Sequence, residues 1–131
     1  MKFFPIPDDI PPVMQHYLRM WNESDLDKIR GHIDQAVSED CWWVDPMHAH
    51  TGRDALEANV REFRETYPSA ALGLGSNVDG HHDRHRYEWA IYTDDGLLMR
   101  GMDVVTIDED GLINRVDGFF GPLKRHRPKD Q

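Results

Sequence analysis

The stretch GMDVVTIDEDGLINRVDGFFG, residues 101–121, is where the fold is decided. Residues alternate through its first half, so Asp103, Val105 and Ile107 share one face and Met102, Val104 and Thr106 the other. Glu109-Asp110-Gly111 is a turn signal, and a second strand-like run follows it at once. The unit is a β-hairpin. Val105 and Ile107 are its core-facing pair, and they carry Asp103 inward with them. Asp79-Gly80 and Asp94-Asp95-Gly96 punctuate the preceding residues in the same way, so the chain beyond Pro68 reads as successive antiparallel strands.

Upstream the period changes. Met14, Tyr17, Leu18 and Trp21 recur at helical spacing from Pro12 onward. Asn22-Glu23-Ser24 breaks that helix, and Ser24, with Asp27 three residues on, is expected to cap a second one. Leu26, Ile29 and Ile33 form its apolar stripe, which can continue to Val37. Residues 41–44, CWWV, read as a buried strand stopped by Pro46, and residues 47–52 as a loop or short strand. A third helix begins at Thr51 or Gly52, turns Leu56, Val60, Phe63 and Tyr67 inward, and ends at Pro68. Three helices followed by a run of strands predict an α+β fold, a sheet curled over helices on one side. A pocket in such a fold lies between the concave sheet face and the helices.

The 131 residues suit one domain spanning 1–131, with an extended, proline-broken arm over 1–11 and a basic tail over 124–131. A net charge of −9 argues against binding nucleic acid and gives no attraction to anionic membranes. The N-terminus reads as neither a signal peptide nor a membrane span, and a cytoplasmic location is expected. Cys41 is alone, so no intrachain disulfide can form, and its neighbours Trp42 and Trp43 suggest a buried, inert thiol. His48-Ala49-His50 and the cluster His81-His82-Asp83-Arg84-His85 invite a metal. Nothing fixes a third ligand, however, and the arginines would repel a cation, so no metal is expected. No pattern calls for a nucleotide, flavin or nicotinamide cofactor.

Three polar residues stand out against apolar surroundings: Tyr17 on the first helical stripe, Asp45 at the end of CWWVD, and Asp103 facing inward. Each has a plain structural explanation: a core tyrosine, a turn-capping acid, a buried acid held neutral. Together, QHYLRMWNESDLDKI, WVDP and GMDVVTIDEDGLINRVDGFFG resemble the NTF2-like superfamily from about Pro12 to Leu123, with SnoaL-like cyclases and ketosteroid isomerases as the nearest groups. The resemblance implies an NTF2-like cone, three N-terminal helices packed in a strongly curved, mixed and mainly antiparallel sheet. It also implies an enzyme in which Asp45 is the base and Tyr17 with Asp103 forms an oxyanion hole for isomerising a carbonyl compound. Ketosteroid isomerase is itself the well-known example of a carboxylic acid kept neutral so that it can donate a hydrogen bond. A cyclase or hydratase on the same cone, or a non-catalytic binding domain, is the alternative.

The candidate substrate-binding residues are Trp21, Trp43, His48, Arg86, Trp89 and Phe120, the last placed there by the resemblance. Where the isomerases place small apolar and aromatic residues, this chain has HHDRHRYEW (81–89), with Arg84, Arg86 and Glu88 on one face and His85, Tyr87 and Trp89 on the other. A polar set lining the pocket would favour a smaller, polar or anionic ligand. Asp117 has opposite parity to Phe120 and should face away. Met102, Val104 and Thr106, with Tyr92 or Trp89, make an outer face apolar enough to pair two copies, and the resemblance implies a homodimer acting on a small molecule.

Overall fold

The structure, a computed structural model, describes residues 6–126. The first five residues of the expected arm and residues 127–131 of the basic tail lie outside the described residues. Three helices come first: α1 (Pro12–Met20), α2 (Ile29–Ala36, entered through a 3-10 turn at Leu26–Lys28) and α3 (Arg53–Thr66). Between α2 and α3 run β1 (Val37–Asp45) and β2 (His48–Thr51). After α3 come β3 (Ala71–Leu74), β4 (Asp79–His81), β5 (Arg84–Thr93), β6 (Gly96–Ile107) and β7 (Ile113–Phe120). The strands form one open sheet in the order β2-β1-β7-β6-β5-β3, with β4 paired to β5. Only β1 and β7 run parallel among the described strands. The α+β order is the one expected from three helices followed by a run of strands, and the mixed, mainly antiparallel sheet is the one the resemblance implies.

Local chemistry sets the boundaries. Pro12 opens α1, where a missing N–H costs nothing. Asp25, not Ser24, caps the second helical segment: its carboxylate accepts the Asp27 N–H at 3.0 Å, while Ser24 is exposed. The strand containing CWWV starts earlier than expected, because Val37 is already extended and α2 stops at Ala36. On α3 the inward face is Leu56, Asn59, Val60 and Arg64, whereas Tyr67 lies beyond the last helical turn and is exposed. Arg64 is buried and donates to the carbonyls of Trp21, Glu23, Pro68 and Ala70. It therefore ties the end of α1 to the loop after α3, with all these hydrogen bonds directed at backbone.

The sheet bends at irregular pairings. Register shifts fall between Val37 and Trp42 of β1, between Ile91 and Tyr92 of β5, and between Thr106 and Ile107 of β6. Extra residues at such bulges increase local twist and let a sheet curl around helices. The core fills the concavity: Leu18, Ile29, Ile33 and Val60 from the helices meet Val105, Ile113 and Val116 from the sheet, all fully buried. Each such aliphatic side chain contributes about 2 kcal/mol by leaving water. Trp89 belongs to this concave side, not to the outer face where alternation alone would also allow it. Met102, Val104 and Thr106 do lie on the outer face, half-buried, and Met102 pairs in register with Phe119, which is exposed. Among the described residues no helix is long and apolar enough to cross a membrane.

Candidate active site

A cavity of about 280 Å³ opens between the concave sheet face and the helices. Aromatic rings make most of its wall: Trp21 from the end of α1, Trp43 from β1, Phe63 from α3, Trp89 from β5 and Phe120 from β7. Trp21 and Trp43 lie 5.8 Å apart between ring centres, and Trp89 meets Phe120 edge-on at 6.1 Å. Tyr17, Asp45, Asp103 and His48 complete the lining, together with Asn59 and Glu62 of α3.

Tyr17 reaches the cavity because it lies on the buried stripe of α1, between Met14 and Leu18. Its oxygen accepts the Trp43 Nε1–H at 2.8 Å. The hydroxyl proton has no protein acceptor among the described residues. Burial, and secondarily the charge of Asp103, hold this phenol well above the usual tyrosine range. Tyr17 is thus a neutral hydrogen-bond donor whose oxygen is already anchored.

Asp103 sits on β6 opposite Tyr87 of β5 and Gly118 of β7. Its Oδ2 accepts the Tyr87 hydroxyl at 3.0 Å and its Oδ1 the Trp89 Nε1–H at 3.0 Å. Gly101 makes the second bond possible. It pairs with Trp89 across the strands, and a Cβ there would collide with the indole and with the Phe119 carbonyl. Burial pushes the Asp103 carboxyl up to about 7. The Tyr87 and Trp89 hydrogen bonds pull the other way, and the nearby Asp45 adds to the rise. Near neutrality a large share of Asp103 therefore carries its proton. Gly118 separates the two acids: a Cβ there would stand 3.0 Å from Asp103 Oδ1 and 3.3 Å from Asp45 Cβ.

Asp45 closes β1. Its Oδ1 accepts the backbone N–H groups of Met47 and His48, each at 2.8 Å, and lies 3.1 Å from His48 Nδ1. Its side chain is 10% exposed, and Oδ2 takes no protein hydrogen bond among the described residues. Trp43 and Asp45 share the inward face of β1, whereas Trp42 points out and carries the Arg115 guanidinium 4.9 Å above its ring. Cys41 is buried, and desolvation raises its thiol to about 12, far from a nucleophile.

Of the nine residues singled out from sequence, eight line this one cavity: Tyr17, Trp21, Trp43, Asp45, His48, Trp89, Asp103 and Phe120. Arg86 does not. It projects from the outer face, 63% exposed, with its Nε 2.9 Å from Asp79 Oδ2. Strand parity explains the correction, since Tyr87 and Trp89 take the inward positions and Arg84, Arg86 and Glu88 the outward ones. His85 packs over Gly80 of β4. Of residues 81–89 only Trp89 lines the cavity, and none of the charged ones does, which removes the sequence-level case for an anionic ligand. Asp117 faces out, 2.9 Å from Arg115. The residues that sequence reasoning misses are Tyr87, which stands behind Asp103, and the spacers Gly101 and Gly118. Tyr87 has the parity of Trp89, and that signal is present in the sequence.

The fold has relatives among known proteins. The SnoaL-like domain family matches residues 14–116 of the chain. The chain belongs to the SnoaL-like family. A solved SnoaL-like structure from Agrobacterium tumefaciens, which carries a provisional isomerase name, is 32% identical over 84% of this chain and 95% of its own, with a TM-score of 0.78. An NTF2-like protein of unknown function from an Exiguobacterium species (18% identity, 85% and 99% coverage, TM-score 0.69) has the same fold. So does a Sinorhizobium meliloti protein provisionally named a polyketide cyclase (15% identity, 84% and 95% coverage, TM-score 0.67). No curated protein matches the chain. The SnoaL-like frame accounts for the curved sheet wrapped on three helices.

Proposed function

We propose that this SnoaL-like protein catalyses acid–base isomerisation of a small, uncharged carbonyl compound. The supporting observation is that the unshared Tyr17 proton and the buried Asp103 carboxyl line the same cavity as the free Oδ2 of Asp45. Asp45 takes a proton from the carbon beside the carbonyl. Charge then develops on the carbonyl oxygen, and Tyr17 and protonated Asp103 donate hydrogen bonds to it without bringing a charge of their own. A proton is then delivered to a carbon one or two positions away.

The lining also selects the substrate. Among the described residues it contains the carboxylates of Asp45 and Glu62 and no Lys or Arg, with His48 the one side chain able to carry positive charge, so an anionic substrate is disfavoured. About 280 Å³ is at the small end for ligand pockets, which suits a one- or two-ring ketone between aromatic walls.

The test is a titration with phenols of graded acidity, reading the ultraviolet shift from phenol to phenolate, for the wild type, Tyr17→Phe and Asp103→Asn. Tight binding as phenolate, weakened at least roughly tenfold in both variants, is the expected result. Binding that is absent, or indifferent to both substitutions, would remove the oxyanion hole and the proposed reaction with it.

A further inference from the structure

We propose that His48 is a second proton-transfer group in the cavity, held at Nδ1 by Asp45 and delivering a proton from Nε2 to the carbon end of the enolate. This rests on Asp45 being the base. The turn itself does not need the imidazole, because the Met47 and His48 backbone N–H groups already bind Asp45 Oδ1. Those bonds also fix the tautomer. An Oδ1 that accepts two N–H groups is an acceptor toward the ring as well, so His48 Nδ1 carries a proton and donates it at 3.1 Å. Nε2 is then the nitrogen left for a substrate. It has no protein partner among the described residues, while the ring lines the cavity and is 36% exposed, within reach of both substrate and solvent.

The neighbouring histidine shows the contrast. His50 stacks on Trp43 at 5.4 Å, its Nε2 lies 3.2 Å from Asn59 Nδ2, and its Nδ1 is buried. Burial lowers its basicity, and it does not line the cavity. His48 instead touches Trp43 edge-on at 6.0 Å, so its ring is braced with Nε2 unengaged. The titratable groups that share the cavity with His48 are Tyr17 from α1, Asp45 from β1, Glu62 from α3, Tyr67 just beyond α3 and Asp103 from β6, and the His50 ring of β2 lies 6.4 Å away; among the described residues β7 offers Gly118 and Phe120 to the cavity.

In the reaction the C–H bond beside the carbonyl breaks, and its proton goes to Asp45 Oδ2. The double bond shifts, and the remote carbon takes the Nε2 proton of imidazolium His48. His48 is left neutral with Nδ1–H still on Asp45 Oδ1. Solvent then takes the proton from Asp45 and returns one to Nε2.

The experiment uses cyclohex-3-enone with excess enzyme in D₂O, reading deuterium at C4 of the cyclohex-2-enone product after one turnover, alongside the phenol titration. In the wild type C4 should carry solvent deuterium, because Nε2 equilibrates with water before the substrate binds. In His48→Gln turnover should slow by roughly tenfold to a hundredfold, and C4 should carry the protium removed from C2. A long-range proton–nitrogen spectrum of the wild type should find Nδ1 of His48 protonated, and Asp45→Ala, which removes the accepting oxygen, should abolish that preference. The proposal is overturned if His48→Gln takes up as much deuterium as wild type, if wild type returns its own protium, or if Nδ1 is bare. Phenolate binding with a failed label test sinks the His48 role alone; failure of phenolate binding and turnover together sinks the base mechanism and this role with it.

Discussion

On the outer face of β5 and β7 each arginine has an acid of its own: Arg84 lies 2.8 Å from Asp83, Arg86 2.9 Å from Asp79 and Arg115 2.9 Å from Asp117. On the concave face of the same sheet Asp103 has no cation within reach among the described residues, only the neutral donors Tyr87 and Trp89. The two faces differ by one residue of strand parity. Outside, charge meets charge in water, where the pair is screened. Inside, a guanidinium against Asp103 would hold it ionised, and an ionised acid cannot donate to an oxyanion. The neutral donors Tyr87 and Trp89 hold the acid in place and offset burial only in part, so its pKa stays raised to about 7.

The largest consequence is a pH dependence of stability. Folded Asp103 releases its proton near 7, whereas in the unfolded chain it behaves as an ordinary aspartate. Between the ordinary carboxylate range and pH 7 the native state holds a proton that the unfolded state has lost. Stability from this group is therefore fully retained in acid and declines as pH rises through that window. The total is on the order of a few kcal/mol. Asp103→Asn has no such proton, so its stability relative to wild type should improve by that amount between about pH 4 and 8 in urea unfolding. A constant difference would mean that Asp103 ionises as a surface acid does.

Tyr87 offers a smaller and more local break. Tyr87→Phe removes a donor that pulls the Asp103 pKa down, so the carboxyl should titrate higher still, read by carbon NMR of the labelled side chain. Stability should fall by about 1 kcal/mol, because Oδ2 loses its buried partner. A downward movement of the Asp103 titration would mean that water or another donor had replaced the tyrosine.

The fold is legible because its signals are local. The alternation through Met102–Ile107, the turn at Glu109–Gly111 and the helical stripe through Met14, Tyr17 and Leu18 each survive in the structure. Parity also carries Asp103 inward correctly. What sequence leaves open is which parity of residues 81–89 faces the cavity, because both sets contain charge. The structure resolves it through size: Tyr87, Trp89 and Ile91 need burial, and once they point inward the arginines must point out. The roles of Gly101 and Gly118 are illegible for a different reason. A glycine's contribution is the space it leaves, and that depends on which strands lie beside it. Asp45 stands out in the sequence through its apolar neighbours alone, and its fixed geometry comes from the turn it accepts and from His48.

The smallest effect is expected where sequence places a binding residue at Arg86. Arg86 and Asp79 are 63% and 65% exposed, so their pair works in high dielectric and is screened by salt. Arg86→Gln should change stability by less than about 1 kcal/mol, and the loss should shrink further in high salt. Asp79→Asn should have a similar effect, and the double variant should be no worse than the sum of the two. Phenolate binding should stay at the wild-type level in all three, because Tyr87 and the sheet backbone lie between this pair and the cavity. The same phenol series therefore sharpens the contrast between faces: a roughly tenfold loss for Asp103→Asn beside none for Arg86→Gln separates two side chains on adjacent strands. If Arg86→Gln weakened phenolate binding as much as Asp103→Asn does, the outer charges would be acting through the sheet. The division into a screened face and a chemical face would then have to be abandoned.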